Sequence, residues 1–221
     1  MNGRGFSFYG RNMLKTFLTI VLLATFCVAQ KVEQVAKPSA ELPGAIAGAV
    51  EDHGLRVLDK DGTPLVSVWL AKSVKTSKKE VEGANYPQLE PSSFVGVITF
   101  DSEGKDLRGQ SIAKGTYSLR YALLPSDGNH MGVAPNRDFL LLLALSSDSD
   151  PATIYSEKQL YRASGKVAGT GHPAVLSLIA EDGKPGTVST SAEGYVVLHV
   201  SLTTSDGALP IALIVKGVAQ Q

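Results

Sequence analysis

The feature that most constrains the fold is a period-two alternation of residues over 115–124, with the sequence GTYSLRYALL. Its odd-numbered residues from 117 to 123 fall on one face, whereas Ser118 and Arg120 point the other way, as expected of a strand with one apolar face. The run FLLLLAL at 139–145 is apolar at every position. A run of this kind is typical of a central strand that is covered on both faces.

Further strands are predicted along the rest of the chain, separated by turns rich in glycine and aspartate. They lie at 55–58, 65–71, 94–100, 174–180, 195–202 and 209–215. The segment 72–92 has weak periodicity and is predicted to be a long loop or a poorly formed edge. About eight strands with few helices indicate an all-β fold, mainly an antiparallel β-sandwich or jelly roll.

One or two short helices accompany these strands. The first is predicted over 43–52, with Gly54 as its C-terminal cap. The second is predicted over 156–164, because Ser156 and Gln159 have the spacing of a capping box and Gly165 follows the segment.

The segment 13–30, MLKTFLTIVLLATFCVAQ, has the pattern of a secretory signal: a cationic start, an apolar run and small residues at its exit. We predict cleavage after Ala29, which divides the chain into a signal peptide (1–29), a linker (30–42) and a single β-sandwich domain (43–221). The predicted location is therefore periplasmic or secreted. Both Met1 and Met13 are possible starts, because the segment from Met13 alone makes a compact signal.

Cleavage would also change the chemistry of the chain. Cys27 is the only cysteine, so the mature domain would have no disulfide and no thiol nucleophile. Phe26 stands where a lipoprotein signal has a small residue, which argues against lipidation. The mature chain would keep 18 basic and 21 acidic residues, a formal net charge of −3. That balance argues against a nucleic-acid partner, and membrane contact is expected only through the signal peptide before cleavage.

The densest group of polar residues lies in the connection between the two strands described first. Asp127, His130 and Asp138 have side chains that could bind a cation, and Arg137 could pair with a carboxylate or phosphate. Connections between rigid strands often carry function. The alternative is that these residues form turns and that Arg137 pairs with a nearby aspartate.

A second candidate is His172, in the sequence GKVAGTGHP at 165–173. His130 and His172 would form half of a metal site with Asp127 or Asp138 if the two loops approached each other, and the metal is not specified by the sequence. The glycines lack the order of a phosphate-binding loop. The explanation that fits these glycines is a flexible connection into the strand predicted from Ala174.

Motifs for hydrolases are absent from the sequence, and no cofactor is expected. His199 lies inside a predicted strand, and we interpret it as a hydrogen-bonded residue of the sheet. Paired carboxylates such as Glu181 and Asp182 are interpreted as turn residues. No catalytic residue is therefore assigned.

The segments GTYSLRY (115–121), DGNHMG (127–132), RDF (137–139) and GHPA (171–174) occur in an order that resembles a group of uncharacterised exported bacterial β-rich proteins. The similarity covers residues 55–217. It implies export and a single β-rich domain, and it carries over no activity.

Together these observations predict an exported, non-catalytic module that binds a ligand or an envelope protein. One alternative is a metal-binding protein or metal-dependent enzyme that uses His130 and His172 with nearby aspartates. Another is a structural surface protein.

Overall fold

The structure is a computed structural model that describes residues 1, 3, 29–38, 42–77, 81–124 and 136–218. Within these ranges the chain forms twelve strands and two helices. The first half contains β1 (Lys31–Ala36), α1 (Gly44–Ala49), β2 (His53–Leu58), β3 (Pro64–Leu70), β4 (Phe94–Phe100), β5 (Gly104–Lys105), β6 (Ser111–Ile112) and β7 (Gly115–Leu123). The second half contains β8 (Asp138–Ala144), α2 (Glu157–Ala168), β9 (Val175–Ile179), β10 (Thr187–Thr190), β11 (Val196–Thr204) and β12 (Gly207–Lys216).

Ten of these strands form one antiparallel sheet that nearly closes into a barrel. The strand order is β1-β2-β3-β4-β7-β8-β9-β12-β11-β10, and β5 pairs with β6 in a separate hairpin. The edge strands β1 and β10 approach each other at the seam of the barrel. The predicted all-β antiparallel class is confirmed. The strands lie in one curved sheet, whereas a sandwich stacks two sheets face to face.

The main apolar core lies inside the barrel, and smaller apolar clusters lie on its outer face. β8 contributes to both sides, as its continuous apolar run predicts. Leu140 and Leu142 belong to the main core, whereas Leu141 and Leu143 pack outside with Leu160 of α2. The alternation of β7 is likewise confirmed, because Leu119 and Tyr121 face the main core and Arg120 faces away from it.

The linker predicted over 30–42 contains strand β1, which pairs along its whole length with β2. Only Val32 and Val35 of β1 are partly buried, so the segment is mostly polar and its sequence resembles a linker. The strand forms because the barrel offers it an edge to pair with, and local preference is overridden.

The first helix is shorter than predicted and ends differently. α1 ends at Ala49 with Val50 as its cap, whereas the predicted cap Gly54 lies in β2. A Cβ atom at Gly54 would lie 2.5 Å from the Val68 carbonyl oxygen. Glycine is therefore required there for close approach to β3 rather than for ending a helix.

The start of α2 is as predicted. Ser156 and Gln159 form the capping box, in which Gln159 Oε1 accepts a hydrogen bond from Ser156 N at 2.8 Å. The helix continues through Gly165 and ends at Ala168, with Gly169 in the left-handed conformation as its cap. Gly165 is buried, and a Cβ there would lie 3.3 Å from the Thr170 carbonyl oxygen, so close packing explains this glycine.

A fully buried ion pair holds the connection between β8 and α2. Arg120 Nη2 lies 2.6 Å from Asp148 Oδ1, and both side chains are 0% exposed. Arg120 Nε donates to Asp148 Oδ2 at 2.8 Å, and Nη1 and Nη2 also donate to the carbonyls of Ser92, Asp150, Pro151 and Thr153. The charge is thus paired and its donors are used, which is the condition for burying an arginine.

The shortest ladder of the ten-stranded sheet joins β12 to β9. It contains only the pairs Ala212–Ile179 and Leu213–Leu178. Tyr86, from the long segment 72–92, bridges the two strands there. Its hydroxyl donates to the Ile179 carbonyl (2.5 Å) and accepts from Ala212 N (3.2 Å). The described part of 72–92 forms isolated bridges and no strand, in agreement with the predicted loop.

Candidate functional site

Two of the five predicted site residues, Asp127 and His130, lie outside the described residues. Arg137 and Asp138 are described and have structural partners. The Arg137 guanidinium donates from Nε and Nη2 to the Leu124 carbonyl at 3.1 and 2.9 Å, and from Nη1 to the Glu82 carbonyl. These contacts join the segment 72–92 to the two described ends of the connection between β7 and β8.

Asp138 is fully buried at the start of β8. Its carboxylate accepts hydrogen bonds from the Tyr121 hydroxyl (2.7 Å), Asn85 N (2.8 Å) and Tyr86 N (3.0 Å). Burial raises the pKa of Tyr86 to about 12, and burial together with the Asp138 hydrogen bond raises the pKa of Tyr121 further. Both hydroxyls therefore stay neutral, and Asp138 positions the Tyr86 segment against the sheet.

His172 is exposed on the connection between α2 and β9. Its backbone N donates to Thr170 Oγ1 at 3.2 Å, and the following Pro173 carbonyl accepts from Arg108 Nη2 at 2.6 Å. In the described part of the chain no hydrogen bond or ion pair joins His172 to Arg137 or Asp138. The register of β8 with β9 pairs Phe139 with Ser177 and Leu141 with Val175. Arg137 and Asp138 at the start of β8 therefore lie toward one end of this ladder and His172 toward the other, and the three are not brought together.

A different polar group, which we call the His199 cluster, consists of Glu181, Asp182, Ser189 and His199. His199 lies in β11 with 2% of its side chain exposed, and both ring nitrogens have partners. Nε2 lies 2.7 Å from Ser189 Oγ, and Nδ1 lies 2.7 Å from Glu181 Oε1. His199, which was predicted to be a hydrogen-bonded residue of the sheet, is therefore the middle member of a chain of hydrogen bonds that runs from Ser189 through His199 to Glu181.

The sheet register places this cluster on the outer face of the barrel. Leu198 belongs to the main core, so its neighbours Val197 and His199 point outward. His199 pairs with Thr187 and Val197 pairs with Ser189, which brings Ser189 to the same face at the diagonal position. The Ser189 residue is exposed, whereas the imidazole is buried behind it.

Gly183 makes the burial of the imidazole possible. A Cβ atom at this position would lie 2.3 Å from His199 Nδ1, so only glycine lets the segment cross the ring so closely. The Gly183 N–H also donates to Glu181 Oε1, which fixes the carboxylate beside the ring. With Glu181 ionised, Nδ1 carries the ring proton and Nε2 accepts from the Ser189 hydroxyl.

The cluster also contains the atoms that a metal ion would need. His199 and the carboxylates of Glu181 and Asp182 offer ligand atoms within 4.8 Å of one another. Glu181 Oε2 is buried and has no hydrogen-bond partner among the described residues. Asp182 is exposed.

An open groove of about 460 Å³ lies at the seam of the barrel. It is lined by residues from the β2–β3 turn, from the position before β1, from the start of β11 and the segment before it, and from the end of β12: Gln30, Asp59, Lys60, Asp61, Gly194, Val196, Lys216 and Gly217. Lys216 forms an ion pair with Asp59, and its hydrogen bond holds the pKa of that carboxyl below its usual value. The groove therefore presents fixed charges of both signs.

The sequence interpretation assigned Glu181 and Asp182 to a turn and did not consider Ser189. One signal was available: TVST at 187–190 is rich in β-branched residues and alternates ahead of the strand that carries His199. Pairing these segments as a hairpin would have brought a serine next to the histidine. The carboxylate partner depends on how the loop crosses the ring, which no local pattern reveals.

Comparisons with protein-family models, with curated proteins and with solved structures found no match for this chain.

Proposed function

We propose that this protein is an exported module of the cell envelope or exterior that binds a ligand or another protein through its outer surface. The observation that carries the binding role is the charged seam groove outside a barrel whose interior is filled with apolar side chains. A filled barrel is a packed core rather than a ligand cavity. Binding is therefore assigned to the outside, where Lys60 and Asp61 are exposed beside the Asp59–Lys216 pair.

The position of the first described strand supports the proposed export. β1 starts at Lys31, two residues after the predicted cleavage position at Ala29. Cleavage there would leave every described strand and helix intact. Neither helix in the described ranges is long and apolar enough to cross a membrane.

Export is tested by expressing the full chain and sequencing the N-terminus of the protein recovered outside the cytosol. We expect a mature chain that begins at Gln30. Retention of the unprocessed chain in the cytosol would contradict the proposal.

Binding is tested by thermal melting of the mature protein with amino acids, short peptides and phosphorylated headgroups. We expect a ligand carrying an anionic group to raise Tm, and Lys60→Ala to remove that increase. Lys166→Ala is the matched control, because Lys166 is an exposed lysine on α2 and does not line the groove. An increase that survives Lys60→Ala and Asp61→Ala would place binding elsewhere.

A further inference from the structure

We propose that Ser189 is a nucleophile toward carboxylic esters, with His199 as its general base and Glu181 as the positioning residue. This activity goes beyond the binding role and does not depend on export. It rests on the chain of two 2.7 Å hydrogen bonds from Ser189 Oγ through the imidazole to Glu181 Oε1. A hydroxyl, a base within hydrogen-bond reach and a third group that orients the base form the arrangement required for nucleophilic catalysis.

Ser189 is the exposed member of the three groups. Ser189 is exposed, His199 is 2% exposed and the Glu181 side chain is 12% exposed. The nucleophile therefore meets solvent, while the base and its carboxylate lie behind it. Burial keeps the Glu181–His199 interaction in a medium of lower dielectric, where it is stronger than on the surface.

The distances favour a proton relay over a metal site. Two ligands of one tetrahedral zinc ion, each bound at about 2.0–2.2 Å, lie roughly 3.3–3.6 Å apart. Nδ1 and Oε1 are 2.7 Å apart, which is the length of a charge-assisted hydrogen bond. A metal ion would have to separate the two atoms that the Gly183 N–H and the close passage of Gly183 hold together.

The reaction balances without a further reagent. The Ser189 proton passes to His199 Nε2 as Oγ bonds to the ester carbonyl carbon. The carbon–oxygen bond to the alcohol then breaks, and the leaving alkoxide takes the proton from Nε2. A water molecule then gives a proton to Nε2 as its oxygen bonds to the acyl carbon. The bond between that carbon and Ser189 Oγ breaks, Oγ takes the proton back from Nε2, and the carboxylic acid is released. Glu181 remains ionised and accepts the Nδ1–H bond throughout.

The surroundings offer little contact to an acyl group. Val197 and Ile214 on the same outer face are only 1% and 4% exposed, and Tyr195 is partly buried. General-base assistance contributes about 10²–10⁴-fold to a rate, so activated short-chain esters are the substrates on which the reaction is measurable.

The test uses the mature protein, a fluorophosphonate probe and p-nitrophenyl butyrate. The serine oxygen displaces fluoride from the probe, so intact mass and peptide mapping should show one label at Ser189. Ser189→Ala should abolish labelling and ester turnover. Thr190→Ala is the matched control, because Thr190 is the next exposed hydroxyl of β10 and lies on its opposite face.

Two further variants test the relay itself. Glu181→Gln should lower kcat about tenfold or more with little change in KM, because an amide does not stabilise the imidazolium or fix its tautomer. Asp182→Asn is the control for loss of a carboxylate, since Asp182 takes no part in the relay. His199→Gln should abolish labelling, and its circular dichroism spectrum establishes whether the barrel is intact.

Failure of the folded wild-type protein to label at Ser189 overturns the proposal. Equal labelling of wild type and a folded His199→Gln overturns it as well. One equivalent of Zn²⁺ bound by the wild type and lost from Asp182→Asn would show that the cluster is a metal site instead.

Discussion

Arg120 is the largest fully buried side chain of the described residues. Its positive charge is paired with the carboxylate of Asp148. Asp148 accepts from it twice, at 2.6 and 2.8 Å, and also accepts from the Ser118 hydroxyl at 2.6 Å. The rings of Phe94 and Tyr155 lie 5.3 and 5.2 Å from the guanidinium carbon. These contacts explain how a strand facing the core on one side can carry an arginine on the other.

Replacing Arg120 should therefore lower the stability of the folded protein strongly. Arg120→Met leaves Asp148 buried without its charge partner, which should lower the free energy of unfolding by about 3–5 kcal/mol. Urea unfolding measures the loss. Lys114→Met, which removes an exposed positive charge just before β7, should change stability by less than about 0.5 kcal/mol. Recovery of part of the loss by adding Asp148→Leu would identify the unpaired carboxylate as the cause, and no recovery would contradict this explanation.

Tyr86 gives a prediction about alkaline pH. Its pKa in the folded protein is about 12, against 10 for an exposed tyrosine. The folded state therefore holds the phenolic proton more tightly than the unfolded state, so its contribution is complete below pH 10 and is lost as pH rises from 10 to 12. Urea unfolding across this range should show falling stability in the wild type.

Tyr86→Phe provides the comparison. The variant should be less stable at neutral pH, because it loses the bridge between β9 and β12, and its stability should fall less steeply above pH 10. Tyr117, Tyr121 and Tyr155 also have pKa values raised by burial, and they account for the remaining slope. Equal slopes for wild type and variant would refute the assignment.

Single residues were predicted well where the partner is local or the face is fixed by alternation. Ser156 and Gln159 are neighbours on one helical turn, so their capping box was readable. Asp138 was predicted as a possible ligand and instead binds Tyr121 and the Tyr86 segment, 17 and 52 residues away. The partner of a carboxylate at such separations is set by the fold, which residue types alone do not reveal.

At the scale of elements, the buried strands were predicted and the polar edges were missed. β4 was expected over 94–100 and occupies those residues. β1 and β10 are edge strands with mostly exposed residues, so their patterns resemble those of a linker and a loop. Their existence depends on a neighbouring strand, and hydrophobic periodicity carries little of that information.

β1 should therefore matter for stability. A chain starting at Gln30 should fold cooperatively, whereas a chain starting at Lys37 exposes the edge of β2 and loses the packing of Val32 and Val35. We expect a lower urea midpoint and a greater tendency to aggregate in the shorter chain. Size-exclusion chromatography and urea unfolding measure both effects. Identical behaviour of the two chains would show that residues 30–36 act as a linker after all.

At the scale of the whole molecule, near-closure of the sheet is what the sequence did not reveal. Antiparallel strands with similar lengths and turns fit a sandwich and a barrel equally well. The choice depends on which strands meet at the ends, and here the last strands of the chain return to the first. The seam formed in this way contains the charged groove and, on β10, the exposed hydroxyl of Ser189.

The three-strand unit β12–β11–β10 should open more easily than the rest of the barrel. It is bounded by the seam on one side and by the two-pair ladder to β9 on the other. Amide hydrogen exchange should show its outer hydrogen bonds breaking together, at a lower free energy than those of β4, β7 and β8. Tyr86→Phe should accelerate this exchange more than that of β4. Uniform protection across the sheet would contradict the expectation.

The short ladder between β9 and β12 is also the place where two copies of the protein could exchange strands. If two copies open along that ladder, each can donate its last three strands to the gap in the other, with 180–186 as the hinge. Ser189 and His199 would travel together in the donated unit, whereas Glu181 belongs to the hinge itself. A swapped dimer formed at high concentration would therefore keep the serine beside its base and draw the orienting carboxylate from the hinge segment.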